Sequence, residues 1–192
     1  MLALKDAIDK KIIEDINELE VSLSVGTPWH LWPFLETLEN VELPLHSIHY
    51  LDWIRSVLGD PKSVHCKSSR HPKFPKLADA RSSIILDYGK NIRCCLSLNH
   101  THDNDIHGKK HSHAYARVEG IKGAAYIKLG LLLDYPNGEA EEIEISTDDI
   151  SWTKVKNVGS WFPDAFISTM SSLQRFASGE DKILPHSVEN SF

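Results

Sequence analysis

Between residues 63 and 146 the chain holds six short runs of strand length, at 63–69, 82–88, 92–99, 114–119, 124–131 and 141–146, and this succession limits the fold more than any other feature. Short strands following one another without intervening helices predict a largely antiparallel sheet. Loop and turn residues separate them, with His71-Pro-Lys-Phe-Pro-Lys and Tyr135-Pro-Asn-Gly as punctuation and Gly120 and Gly123 at a hairpin turn. Upstream, apolar residues at 4, 8, 12 and 16 predict a helix over 1–16, leading into a strand over 18–25 where Leu19, Val21, Leu23 and Val25 alternate. Downstream, 160–177 resumes helical spacing. The order helix, strand, helix, sheet, helix is α+β: an open, predominantly antiparallel sheet with helices covering one face.

The total of 192 residues fits a single domain over 1–192 with a real core. Its 41% hydrophobic and 25% charged residues are ordinary for a soluble globular chain. No segment approaches the roughly 20 apolar residues that span a bilayer. A net charge of -6 without a Lys/Arg cluster argues against a nucleic-acid surface and for small-molecule partners. Cys66, Cys94 and Cys95 are odd in number and lack Cys-x-x-Cys spacing, and the N-terminus has no signal pattern, so a reducing cytoplasm is expected. Adjacent in a strand, Cys94 and Cys95 point to opposite faces and read as packing residues.

The chemistry concentrates in 43–61, Leu-Pro-Leu-His-Ser-Ile-His-Tyr-Leu-Asp-Trp-Ile-Arg-Ser-Val-Leu-Gly-Asp-Pro. Pro44 suits a first helical turn, and Gly59 with Pro61 ends the helix. At about 100° per residue, His46, His49 and Trp53 fall within roughly 60° of one another, while Leu51, Ile54 and Leu58 form a separate apolar arc. One face then packs and the other is free for chemistry. Taken alone, His46 and His49 also fit capping or half-buried polar positions.

The string His-Ser-Ile-His-Tyr-Leu-Asp-Trp-Ile-Arg-Ser-Val-Leu-Gly-Asp-Pro resembles the first active-site helix in the C-terminal domain of the glucose-fructose oxidoreductase, inositol dehydrogenase and rhizopine-catabolism (Gfo/Idh/MocA) family. The resemblance runs from the opening helix to the closing Trp161-Phe162-Pro163-Asp164-Ala165-Phe166. It implies an NAD- or NADP-dependent sugar or polyol dehydrogenase, with His49 or His46 as catalytic base and Asp52 beside the substrate. The family pattern places an Asp four residues before the catalytic His and another three after it. His49, Asp52 and Leu58-Gly59 match, whereas Leu45 stands where the earlier Asp belongs and His46 is one residue further on. It also implies a homodimer through the sheet face. Family members open with a Rossmann domain, but no Gly-x-Gly-x-x-Gly or Glu-Lys-Pro stands here, so no cofactor-binding residue is assigned. The chain ends at Asn190-Ser-Phe, where the family's final helix usually continues, which suggests a truncated product.

Two more segments offer site residues. In Trp29-His30-Leu31-Trp32, one ring is expected in the cleft and the other in the core, with Trp29 and His30 as substrate contacts. The loop from His100 to His113 holds five imidazoles and two carboxylates; Lys110, His111 or His113 suits hydrogen bonds to sugar hydroxyls. Zinc or nickel would accept such donors, but His-x-His on a loop lacks the fixed geometry of HExxH on a helix, and no metal ligand is assigned.

In a dehydrogenase a base takes the hydroxyl proton while hydride leaves for nicotinamide, and a neutral imidazole within about 2.6–3.2 Å can serve. The cofactor performs the hydride chemistry, so this chain alone is expected to be inactive. The alternatives are a free-standing carbohydrate-binding or protein-interaction module and, less favoured, a metal-binding protein using the His100 to His113 loop.

Overall fold

The computed structural model describes residues 2–102, 111–131, 139–147, 151–156 and 164–184. A short helix α1 (Leu2–Asp9) precedes β1 (Ile16–Ser24), two 3-10 turns (Trp29–Leu31 and Pro33–Thr37) and a π turn (Leu43–Ser47) that runs into α2 (Ile48–Leu58). Then come β2 (Ser63–Ser69), β3 (Arg81–Asp87), β4 (Arg93–Asn99), β5 (His113–Gly120), β6 (Gly123–Lys128), β7 (Glu142–Ser146), β8 (Thr153–Val155) and helix α3 (Ala165–Ser178).

The strands form one open sheet in the order β2-β3-β4-β1-β5-β6-β7-β8. All pairings between named strands are antiparallel except β1 with β4. β1 therefore lies between two antiparallel meanders, β2 to β4 on one side and β5 to β8 on the other. The expected α+β class and the mostly antiparallel sheet are both found, and β5 and β6 join at the Gly120–Gly123 hairpin. The Tyr135 turn lies outside the described residues.

The sheet alternates as its sequence does. Leu19, Val21 and Leu23 of β1, Leu96 and Leu98 of β4 and Ile127 of β6 point into one core, where Leu4 of α1 and Trp53 and Ile54 of α2 cover them. A second, smaller cluster of Trp29, Leu35, Val41, Leu77, Ala78 and Ala80 fills the space under the turns between β1 and α2.

Two helical expectations are corrected. The first helix stops at Asp9 rather than continuing to 16, because Ile12 N–H closes back on Ala7 C=O at 3.0 Å while Lys11 takes the left-handed conformation at φ 55°. Nor do His46, His49 and Trp53 share one free face: Trp53 is buried in the main core, His49 is exposed and His46 lies between. The π turn after Glu42, where Ile48 N–H reaches Leu43 C=O, breaks the constant angular step that the sequence argument assumed.

Cys94 is buried on the core face and Cys95 half-exposed on the other, as alternation requires. Burial first, and then Cys95 and Glu18 nearby, push the Cys94 thiol up to about 12. At pH 8, a charged thiol reagent should therefore label the exposed Cys66 first and reach Cys94 only on unfolding. Peptide mass mapping of a labelling time course checks this, and fast modification of Cys94 in the folded protein contradicts it.

Candidate functional site

β1 and β4 run parallel, and their carboxyl ends deliver two segments to the same place. The chain leaving β1 bends at Gly26, which bridges Thr101, and continues into the Trp29 turn. The chain leaving β4 continues as His100, whose backbone N–H bonds Ala80 C=O at 3.1 Å. One residue earlier, Asp79 C=O takes the N–H of Glu42 at 3.0 Å. Asp79 and Ala80 thus hang the start of the π turn and the end of β4 side by side.

The result is a cluster of Glu42, His46 and His100. Glu42 is 1% exposed and His100 6%. Each Glu42 oxygen takes one donor: His100 Nδ1 at 2.5 Å on Oε2 and Ser47 Oγ at 2.7 Å on Oε1. Its place at the start of the helical segment also favours negative charge. His46, one turn on from Glu42, lies against His100 with ring centroids 3.8 Å apart and planes at 17°. The Trp29 ring meets His46 edge to face at 6.3 Å. Burial, and then Glu42, push the Tyr50 phenol well above its ordinary range.

Two buried nitrogens here, His46 Nδ1 and Trp29 Nε1, have no hydrogen-bond partner among the described residues. Buried polar atoms of this kind are uncommon and call for an explanation. His46 is held down to about 3, by burial first and then by His100 and His49, so near neutral pH it is an uncharged imidazole with an unshared lone pair. The sign for stability follows. The unfolded chain binds a proton at His46 below about 6.5 and the folded one does not, so stability falls as pH drops from about 6.5 towards 3. Between pH 6.5 and 5 the loss from this residue should be about 2 kcal/mol. Urea midpoints of the wild type and His46→Gln at the two pH values test it, and an equal acid slope in both would show that His46 contributes nothing.

The residues expected from sequence scatter around this centre. His46 is in it, and Trp29 forms its wall, buried in the smaller core rather than open as a stacking platform. His49 is exposed one turn beyond, and His30 and Asp52 are exposed too. Arg55 pairs with Asp60 at 2.7 Å on the surface, an ion pair worth little. His111 is exposed, whereas Lys110 and much of the loop from His100 to His113 lie outside the described residues. His113 belongs to the open sheet face, bonded to Ser22 Oγ at 3.1 Å and stacked on Tyr115.

Glu42 was missed. Its signal is the four-residue step to His46, which puts a carboxylate and an imidazole one helical turn apart. In the sequence His100 is only the first donor of the loop to His113, and its burial comes from the packing of the end of β4 against the π turn.

Comparison with known proteins agrees on the fold. No family model and no curated protein matches the sequence. Solved structures do. An oxidoreductase from Agrobacterium radiobacter in complex with NAD+, L-tartaric acid and magnesium superposes with a TM-score of 0.70 at 18% identity, over 93% of this chain and 52% of that one. An aldose-aldose oxidoreductase from Caulobacter crescentus complexed with glycerol gives 0.66 at 12% identity, over 95% and 52%. An inositol dehydrogenase homolog from Azotobacter vinelandii complexed with NADH and myo-inositol gives 0.61 at 11%, over 91% and 50%. The chain therefore has the fold of about half of a Gfo/Idh/MocA-type oxidoreductase and spans about half the length of these proteins.

Proposed function

We propose, from a chain with the fold of these oxidoreductases over about half their length, that it is the substrate-binding portion of an NAD- or NADP-dependent sugar or polyol dehydrogenase. The observation that supports this most is the pair of unpartnered nitrogens, His46 Nδ1 and Trp29 Nε1, at the carboxyl ends of β1 and β4. Ligands of open sheets favour such ends, and one acceptor beside one donor suits a hydroxyl. The base is His46 or His49, the two imidazoles at the head of α2. The nicotinamide partner supplies the hydride chemistry when bound by the rest of such an enzyme, so the chain is inactive alone. An exposed apolar surface fits this reading: α3 leaves Phe166, Ile167, Met170, Leu173 and Phe176 exposed, and a further body of protein would cover them.

Calorimetric titration with myo-inositol, glucose and glycerol, and separately with NADH and NADPH, tests the proposal. Weak polyol binding that His46→Ala abolishes, without cofactor binding, is the expected result. Micromolar NADH or NADPH affinity overturns the half-enzyme reading, and a wild type that binds no polyol overturns the substrate site.

The same reading includes a homodimer through the open sheet face and a reducing cytoplasm. His113, Tyr115 and Tyr126 form an aromatic ladder on that face, with successive ring centroids 5.7 and 5.5 Å apart, and Tyr115 donates to Glu20 at 2.9 Å. Sedimentation equilibrium should give a dimer for the wild type and a monomer for Tyr126→Glu; a wild type that stays monomeric at high concentration refutes the pairing. No helix among the described residues is long and apolar enough to cross a membrane.

A further inference from the structure

We infer that Glu42, His46 and His100 together form a binding site for one divalent transition-metal ion of the zinc class. This goes beyond the dehydrogenase reading and stands on the geometry of the cluster alone.

One ligand atom from each residue lies within 4.8 Å of those from the other two. An ion bound by imidazole nitrogen at about 2.0–2.1 Å and carboxylate oxygen at about 2.0–2.2 Å sets its donors about 3.4 Å apart, so His46 must approach by about 1 Å while the 2.5 Å hydrogen bond between His100 Nδ1 and Glu42 Oε2 opens to admit the ion. The two rings stack nearly parallel, so one must also turn about its side-chain torsions to aim its lone pair at a shared point. His46 is placed for that turn. Its Nδ1 has no partner to give up among the described residues, so no hydrogen bond opposes binding there. His100 and Glu42 are already held, the one by its backbone bond to Ala80 and the other by Ser47 and its own bond to Asp79.

The donor set decides the class of ion. Two imidazoles and one carboxylate suit zinc, cobalt or nickel, whereas magnesium and calcium take oxygen ligands. Three protein ligands leave a fourth position for water or a substrate oxygen, the arrangement of catalytic rather than structural zinc. With the ion in place His46 is a ligand, and the role of base in the proposed reaction falls to the exposed His49.

Equilibrium dialysis of the chelator-treated chain against zinc, with a parallel cobalt titration followed by visible absorption, provides the test. One ion per chain is expected, with the intense bands of low-coordinate cobalt. Affinity should fall about tenfold or more in His46→Gln, His100→Gln and Glu42→Gln, and should be unchanged in His102→Gln and His111→Gln. Circular dichroism must show each variant folded. For a variant that is not folded, histidine ring resonances of the wild type replace it, and His46 and His100 should shift on adding zinc. No stoichiometric binding, or binding that survives His46→Gln and is lost in the loop variants, overturns the site. Neither sugar nor nucleotide enters these measurements, so their failure leaves the polyol titration intact, and the reverse holds.

Discussion

Glu42→Ala should cost about 3–5 kcal/mol of folding stability, the usual result of removing one partner from a buried carboxylate–imidazole hydrogen bond. The carboxylate is almost completely enclosed, and both its oxygens are engaged by His100 and Ser47. Alanine leaves the His100 ring, itself 6% exposed, with a donor facing no acceptor in a space that water fills poorly. For a chain of this size the melting temperature should drop by about 6–20 °C. His100→Phe in the same background should recover part of the loss, because an apolar ring needs no acceptor. Urea denaturation of the two single variants and the double one measures the coupling. A Glu42→Ala protein within 1 kcal/mol of wild type would mean that the pair is solvated rather than enclosed.

A smaller but still large effect is expected at the β5–β6 hairpin. A methyl group on Gly120 would stand 2.1 Å from the carbonyl oxygen of Ile13, and one on Gly123 2.2 Å from that of Ser146. Both obstacles are backbone. The first belongs to a segment that the hairpin holds, through Ile121 N–H to Asp15 C=O at 3.1 Å and Lys122 N–H to Ile13 C=O at 3.3 Å. Gly120→Ala must break or displace those bonds, and about 1–3 kcal/mol of stability should go with them. Thermal melts of Gly120→Ala and Gly123→Ala test this. Unchanged melting in both would show that the turn between α1 and β1 and the end of β7 are free to move away.

Much of the fold could be read from the sequence because its strands alternate cleanly. Leu19, Val21 and Leu23, or Ala114, Ala116 and Val118, specify a buried face by period two, and no distant residue has to be known to see it. The parallel pairing of β1 with β4 could not be read this way, since alternation fixes which face is buried but not which strand is the neighbour. The end of α1 was hidden for a different reason: Lys11 takes a backbone conformation usually left to glycine. For the candidate site, His46 was visible in its helix. Its neighbours were not, because Glu42 acquires meaning from the π turn, and His100 only from the strand that delivers it there.

The central place of β1 also sets the order in which the chain can assemble. Each meander pairs strands adjacent in sequence and can close locally, β2 with β3 and β4, β5 with β6 and β7. β1 cannot. Its partners are Arg93 to Asn99 on one side and His113 to Gly120 on the other, so both of its edges wait for residues made long after it. During synthesis β1 leaves the ribosome before the other strands of the sheet, and its second edge remains open until Gly120 has followed. Closing those long loops comes before any gain from the contacts, so the entropic cost of the sheet falls mainly on bringing β1 between the two meanders.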